Sequence, residues 1–455
     1  MTDFFYLIAG VLFIAGLKGL TSPRTARTGN AIAAAGMLTA IVVTLVDQDV
    51  VAWGTVVAGL ATGAIIGAVF ALRVQMTDMP QLVAVFNGFG GLASALVATS
   101  ELRNVAGGPL AAETAAAMVV SIAVGAVTFT GSLVAFGKLQ TLLPGQPLVF
   151  HGAQIVNTTL GTAMAGFAVW AIAADKPAAF WVVGALGLAL GVLGVVPIGG
   201  ADMPVVISLL NSFSGIAAAA AGFVIGNNAL IIGGALVGSA GLILTALMTQ
   251  AMNRSLAHVL FSGFGTAGSV GTADDDENRR ANAATADDVA IALGYAESVI
   301  IVPGYGLAVA QAQHATDRLA TALQQRGVEV HYAIHPVAGR MPGHMNVLLA
   351  EADVSYELMI DLEQANSNFP STDVVLVLGA NDVVNPAARD DPSSTIYGMP
   401  ILDVDKAQTV VVIKRSLSPG FAGIPNPLFA AENTLMFFED GKKAILDLVG
   451  AVKEL

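Results

Sequence analysis

Gly304, Gly306 and Val309 form a G-x-G-x-x-V turn within P-G-Y-G-L-A-V-A, directly after the β-rich run Val299–Pro303. Glycines at such a turn let a pyrophosphate approach the main chain, and a helix that begins there offers it amide N–H groups. One such match is weak by itself, so its context matters. A helical stretch to Arg326 and a second strand, Val328–Ile334, follow at βαβ spacing. Gly304, Tyr305, Gly306, Leu307, Ala308 and Val309 are therefore candidates for holding a dinucleotide.

An NAD site usually has an acid at the tip of the second strand to accept the ribose hydroxyl. Here that strand ends in His335 and Pro336. A later strand, Thr409–Ile413, ends instead in Lys414, Arg415 and Ser416, two permanent cations and a hydroxyl suited to a 2′-phosphate. The missing acid and the present cations together point to NADP. Two further loops follow strand-like runs, where ligands bind in parallel sheets. One is H-P-V-A-G-R-M-P-G-H (335–344), with Val337, Ala338, Gly339, Arg340 and Met341 as candidates. The other is G-A-N-D-V-V-N-P (379–386), with Gly379, Ala380, Asn381 and Asp382. Arg340 suits a phosphate or amide oxygen. Asp382 is placed either beside a nicotinamide or simply as a loop cap.

A second set of polar residues lies in strongly apolar sequence. A-D-M-P-V-V-I-S-L-L-N-S-F-S-G (201–215) repeats the frame of T-D-M-P-Q-L-V-A-V-F-N-G-F-G-G (77–91), aligning Asp202 with Asp78 and Asn211 with Asn87. Each aspartate, with a proline two positions on, reads as helix N-cap and first-turn chemistry. The asparagines fall two to three turns into a span, where an amide needs either an interhelical partner or a polar proton path. The spans carry no mid-membrane acid or histidine; His151 and His258 lie outside them.

The elements that position these residues follow from composition. The 455 residues are 55% hydrophobic and only 12% charged, a membrane composition. Acids and bases balance up to Ala257, so the formal net charge of −13 belongs to the remainder. Two objects result: a neutral membrane domain (1–257) and an acidic NADP-binding domain (289–455), joined by a Gly/Ser/Asn/Asp-rich connector (258–288). Runs of about 20 apolar residues predict about nine spans. They lie near 3–20, 31–47, 52–72, 82–100, 115–137, 157–173, 179–198, 204–225 and 228–251. The C-terminal part predicts about six strands. The fold class is a multi-span α-helical membrane bundle followed by an α/β Rossmann-like domain.

Lys and Arg asymmetry predicts the N-terminus outside and the C-terminal domain in the cytoplasm. Stripes of glycine (Gly59, Gly63, Gly67; Gly187, Gly191; Gly234, Gly238) predict closely packed helices. The apolar run from Phe4 lacks a basic n-region and reads as a retained span. With no cysteine, disulfides and thiolate metal sites are excluded and no metal is expected. The acidity argues against a nucleic-acid partner.

These motifs, with A-M-N-R-S, H-M-N-V-L-L-A-E-A and K-R-S, make the sequence resemble the β subunit of proton-translocating NAD(P) transhydrogenase over essentially its whole length. The resemblance implies an oxidoreductase and translocase of the Re/Si-specific type in the bacterial inner membrane, passing hydride between NAD(H) and NADP(H) while protons cross. It implies NADP(H) on this chain in reversed orientation. NAD(H) would sit on an alpha subunit that adds further membrane helices, within a dimer of the alpha-beta unit. It carries the pyrophosphate role to Gly304, Tyr305, Gly306, Ala308 and Val309, and the 2′-phosphate role to Lys414, Arg415 and Ser416. Arg340 and Asp382 would line the cofactor, and Asp202, Asn211, Ser239 and Gly241 would serve coupling. Two departures stand out: Asn87 replaces a mid-membrane histidine, and Phe421 replaces a tyrosine. The rival reading is an NADP-regulated ion transporter or channel, against which the spans offer no ion-ligand cluster.

Overall fold

The computed structural model describes residues 2–47, 53–104, 110–150, 152–174, 176–261, 281–341, 343–394, 396–417 and 424–455. Phe421, His151 and the acidic run Asp274–Glu277 lie outside them. The chain divides into two compact units, a helical bundle and an α/β domain.

Nine helices among the described residues are long and apolar enough to cross a membrane. They are α1 (Thr2–Leu20), α2 (Pro23–Asp47), α3 (Trp53–Arg73), α4 (Met79–Asn104), α5 (Ala112–Leu139), α6 (Ala153–Ala174), α7 (Pro177–Val195), α8 (Met203–Ile225) and α9 (Asn228–Ala251). α5 and α8 are the most enclosed. Glycine lets backbones meet where Cβ atoms would collide. A Cβ on Gly215 would sit 2.3 Å from Gly238 N, and one on Gly191 would sit 2.4 Å from Val127 O. The stripe Gly59, Gly63, Gly67 corrects the expectation of uniform packing. Nothing lies within 4 Å of these glycines, and α3 has no buried residue. Spacing aligns glycines on one face, but it does not supply a helix to meet that face.

The α/β unit holds seven parallel strands: β1 (Asn282–Ala283), β2 (Ser298–Pro303), β3 (Glu329–Ala333), β4 (Met359–Ile360), β5 (Val374–Leu378), β6 (Thr409–Lys414) and β7 (Thr434–Phe438). Their order is β1-β7-β6-β5-β2-β3-β4. From β2 the chain runs outward to β3 and β4, then returns to β5, β6 and β7 on the other side. The direction therefore reverses between β2 and β5, where ligands bind in such sheets. β5 is Val-Val-Leu-Val-Leu and wholly buried, as a central strand covered on both faces requires. The two-residue strands β1 and β4 have no readable period; with them the sheet has seven strands, where the sequence predicts about six. β1 places Asn282 and Ala283, which the sequence reading assigned to the connector, in the folded sheet beside β7.

The helices of this unit are α10 (Ala286–Gly294), α11 (Tyr305–Val309), α12 (Gln313–Gln325), α13 (His344–Glu351), α14 (Leu362–Asn368), α15 (Ala387–Asp390) and α16 (Gly441–Glu454). A capping box opens α10: Thr285 Oγ1 accepts from Asp288 N, and the Asp288 carboxylate accepts from Thr285 N. The helical stretch expected to run unbroken to Arg326 is split after Val309, with Gln311 in the left-handed region (φ 49°). Only one helical turn therefore follows the glycine loop directly.

Candidate nucleotide site and membrane polar groups

The switch point is built from two interlocked glycine loops. Gly304 N donates to Leu378 O (2.9 Å) and Gly306 N to Gly379 O (2.9 Å). A Cβ on Gly306 would come 2.6 Å from Gly379 Cα, and one on Gly304 would come 2.3 Å from Gly379 O. Gly379 itself has φ +69°. The glycine spacing thus serves a backbone-to-backbone contact between the β2 and β5 loops. The amides of Gly304 and Gly306 are spent inside the protein. Leu307 and Ala308 are buried, Tyr305 and Gly306 half-buried, and Val309 exposed.

The loop after β3 is folded around two buried histidines that sequence reasoning left as loop ends. His335 Nε2 donates to Pro400 O (2.8 Å), and its Nδ1 accepts from Val337 N (3.2 Å). His344 Nδ1 accepts from Arg340 N (2.9 Å). Gly339, at φ +106°, passes so close to His344 that a Cβ there would lie 2.6 Å from the His344 Cβ. Burial lowers the pKa of both imidazoles from 6.5 to about 4, with the Arg340 charge adding to the effect at His344. Neutral at pH 7, they act as fixed acceptors. In consequence the Arg340 guanidinium lies 4.4 Å over the Tyr305 ring, whose edge meets His344. The loop between Val337, Ala338 and Met341 is thereby brought to the glycine turn. A pair of histidines bracketing a glycine-containing loop was the available signal.

On the β5 side, Asn381 Nδ2 donates to Asp382 Oδ1 (3.0 Å), and Asn426 Nδ2 donates to Asn381 O (3.1 Å). Burial raises the Asp382 pKa; the Asn381 amide and the Lys414 charge oppose it. Ala380 is buried, while the buried Asn381 Oδ1 has no partner among the described residues. Lys414 closes β6 with its Nζ 4.3 Å over the Phe429 ring; Arg415 and Ser416 are exposed beside it. The structure therefore brings together the ends of β2, β3, β5 and β6. A cationic rim, a Tyr–Arg stack and a half-buried carboxylate surround the switch point. That donor set and the unpartnered Asn381 oxygen fit a phosphorylated dinucleotide.

The residues expected to serve coupling lie in the bundle. Asp202 closes a 3-10 turn (Gly200–Asp202) and takes the N-cap position of α8 in αR geometry, but its carboxylate makes no capping bond. It is 6% exposed. Asp78 likewise ends a 3-10 turn and accepts from Gln81 Nε2 (3.3 Å). Asn87 Nδ2 donates to Ser132 Oγ (3.0 Å), and Asn87 O accepts from Ser214 Oγ (3.0 Å), tying α4 to α5 and α8. Asn211 sits one turn before Ser214, and its side chain makes no hydrogen bond among the described residues. Gly241 packs on Ser212 of α8, and its carbonyl accepts from Ser208 Oγ (3.2 Å). Ser239, two residues earlier, faces outward.

The family model described as NAD(P) transhydrogenase beta subunit matches residues 2–451. The chain belongs to this family. A protein named NAD(P) transhydrogenase subunit beta from Rhodospirillum rubrum is 51% identical over 454 residues, covering 98% of each chain. A second sequence of that name, from a defined strain of the species, matches with the same identity and coverage. The match spans bundle and α/β domain together. Nine long apolar helices in a member of this family indicate a multi-pass membrane protein.

Proposed function

We propose that this chain binds NADP(H) at the β2–β5 switch point and, with an alpha subunit carrying NAD(H), couples hydride transfer to proton translocation. The observation that carries the reading is the convergence of the interlocked glycine loops with Lys414, Arg415 and Ser416 at the end of β6. A dinucleotide with a 2′-phosphate supplies both the negative charge this rim lacks and a nicotinamide able to accept or donate hydride. Lys414 and Arg415 hold that phosphate, with Ser416 donating. The Tyr305–Arg340 stack orients the nucleotide across the glycine turn. Asp382, with its raised pKa, holds the nicotinamide side. Because direct hydride transfer needs no acid or base from the protein, these residues act by positioning.

The spent amides of Gly304 and Gly306 narrow the pyrophosphate role. The phosphates are held by the remaining groups of 305–309 and by Arg340, with the glycines ensuring close approach of the two loops. In the bundle, occupancy at the nucleotide site gates proton access at Asp202, with Asn87, Asn211, Ser239 and Gly241 contributing to the path. The N-terminus faces outside and the α/β domain the cytoplasm, in a bacterial inner membrane.

Exchanging Lys414 and Arg415 together for alanine tests the site. NADP affinity should fall on the order of a hundredfold, the loss of about two charge-assisted hydrogen bonds, with NAD affinity little changed. Equal weakening of both would remove the 2′-phosphate role. Vesicles holding the chain and its alpha subunit test the activity. Failure of NADH to reduce an NADP⁺ analogue there overturns it in favour of a nucleotide-regulated transporter.

A further inference from the structure

Lys138, in the last turn of α5, is 3% exposed. A lysine at the end of a membrane helix normally extends its stem to keep the ammonium in water. This one turns inward. Its Nζ donates to Val196 O (2.6 Å), Ile198 O (2.6 Å) and Gln146 O (3.3 Å). Those carbonyls are its hydrogen-bond partners among the described residues, and they commit all three ammonium protons. A buried cation held by carbonyl dipoles alone gives up most of its hydration, so its place depends on all three oxygens staying where they are.

The three oxygens belong to two different connectors. Val196 and Ile198 lead out of α7, whose terminal carbonyls lack helical partners and carry the negative end of the helix dipole. Gln146 lies between α5 and α6. The connectors are also joined directly: Gly200 N donates to Gly145 O (2.8 Å) and Leu148 N to Val196 O (3.3 Å). Immediately beyond, Asp202 N donates to Gly199 O (3.1 Å) and closes the turn that holds the buried Asp202 carboxylate. An ordinary helix cap would satisfy one helix end. Here a single charge holds both connectors at the upstream side of Asp202.

We propose that Lys138 is a positioning residue for proton coupling: its ammonium clamps the α7–α8 connector and so fixes the turn that buries Asp202. The proposal rests on the coupling role given to Asp202 above. Without the clamp the connector moves independently of α5, and proton access at Asp202 no longer follows events at the nucleotide site.

The test uses the complex of this chain with its alpha subunit in sealed vesicles. Single-turnover hydride transfer from NADH to a bound NADP⁺ analogue is compared with acidification reported by a pH-sensitive dye. Lys138→Met should transfer hydride at the unmodified rate while protons moved per hydride fall about fivefold or more, the scale of a typical coupling free energy. Lys138→Gln, which donates without a charge, should fall less, and Lys138→Arg should retain most of the ratio. An unmodified ratio in Lys138→Met overturns the proposal. So does an equal loss of hydride transfer and pumping, which marks a fold brace. Should Lys138→Met fail to reach the membrane, Lys138→Gln decides: an unmodified ratio, or the same failure, also overturns it. Asp202→Asn is measured alongside. A full ratio there removes the coupling role of Asp202 and the proposal with it. Uncoupling by Asp202→Asn but not by Lys138→Met removes the clamp alone.

Discussion

The two copies of the D-M-P frame open α4 and α8 with the same residue types and meet different surroundings. Asp78 is partly exposed and has the Gln81 amide, whereas Asp202 is almost wholly buried. Asn87 is spent on Ser132, whereas the Asn211 side chain makes no hydrogen bond among the described residues. Gly91 abuts the Thr128 side chain and the Gly125 carbonyl, whereas the atoms nearest a Cβ on Gly215 all belong to the main chain of Gly234 and Gly238. In the first copy the polar groups hold helices together. In the second the acid is enclosed by the fold and the Asn211 side chain makes no hydrogen bond among the described residues, so the same residue types meet different demands.

The largest expected effect breaks this asymmetry at the aspartates. Asp202→Asn should lower proton-coupled turnover by about tenfold or more, within the usual range of coupling energies, and Asp78→Asn should leave it near the unmodified rate. Dye-reported pumping in vesicles checks both, and equal losses would erase the distinction between the copies. Next come the aligned glycines. Gly215→Ala should cost about 3 kcal/mol, the upper end of overpacking, because a Cβ 2.3 Å from Gly238 N meets main chain that cannot turn away. Gly91→Ala, whose nearest atom is Thr128 Cβ at 2.8 Å, should cost less. Thermal unfolding in detergent ranks the two.

A third prediction asks whether acid sensitivity resides in the α/β domain rather than in either frame. His335 and His344 bind protons less readily folded (about 4) than unfolded (6.5). Their contribution is complete above the unfolded value and is lost as pH falls through the interval toward 4. At pH 5.5 the loss should be on the order of 2 kcal/mol, read by calorimetry as a lower domain transition, and His344→Asn, which leaves His335, should roughly halve the dependence. A flat profile in the unmodified chain would mean the imidazoles are not buried neutral. The smallest effect distinguishes the asparagines. Asn87→Leu should cost about 1 kcal/mol for a lost interhelical hydrogen bond, and Asn211→Leu should leave unfolding unchanged or slightly raised. A larger loss at Asn211 than at Asn87 would reverse the comparison.

Much of the architecture was readable from local pattern. Apolar windows located the nine spans, and Val374–Leu378 read as a buried strand without help from its neighbours. The β2 turn and the Lys414–Ser416 cluster were legible because residue type and strand phase suffice to place them. Less legible were features set by what lies opposite. Gly304 and Gly306 read as the glycines of a turn, but their close contact with Gly379 needs the β5 loop to be in place. Gly59, Gly63 and Gly67 read as a packing seam, but among the described residues nothing lies within 4 Å of them. Both frames read as N-caps, and Asp202 does take the N-cap position of α8, but without a side-chain capping bond and after a 3-10 turn like the one Asp78 closes.

The sequence by itself determined the division into membrane bundle and α/β domain, the helix and strand phases, and which residue types stand at the strand ends. These follow from burial and periodicity along one segment at a time. Only the tertiary structure decided that His344 holds the Arg340 loop, that Lys138 reaches three carbonyls from two connectors, and that the Asn87 side chain has a partner while that of Asn211 has none among the described residues. Each depends on which atoms of distant segments come within hydrogen-bond reach, a property that no single segment contains.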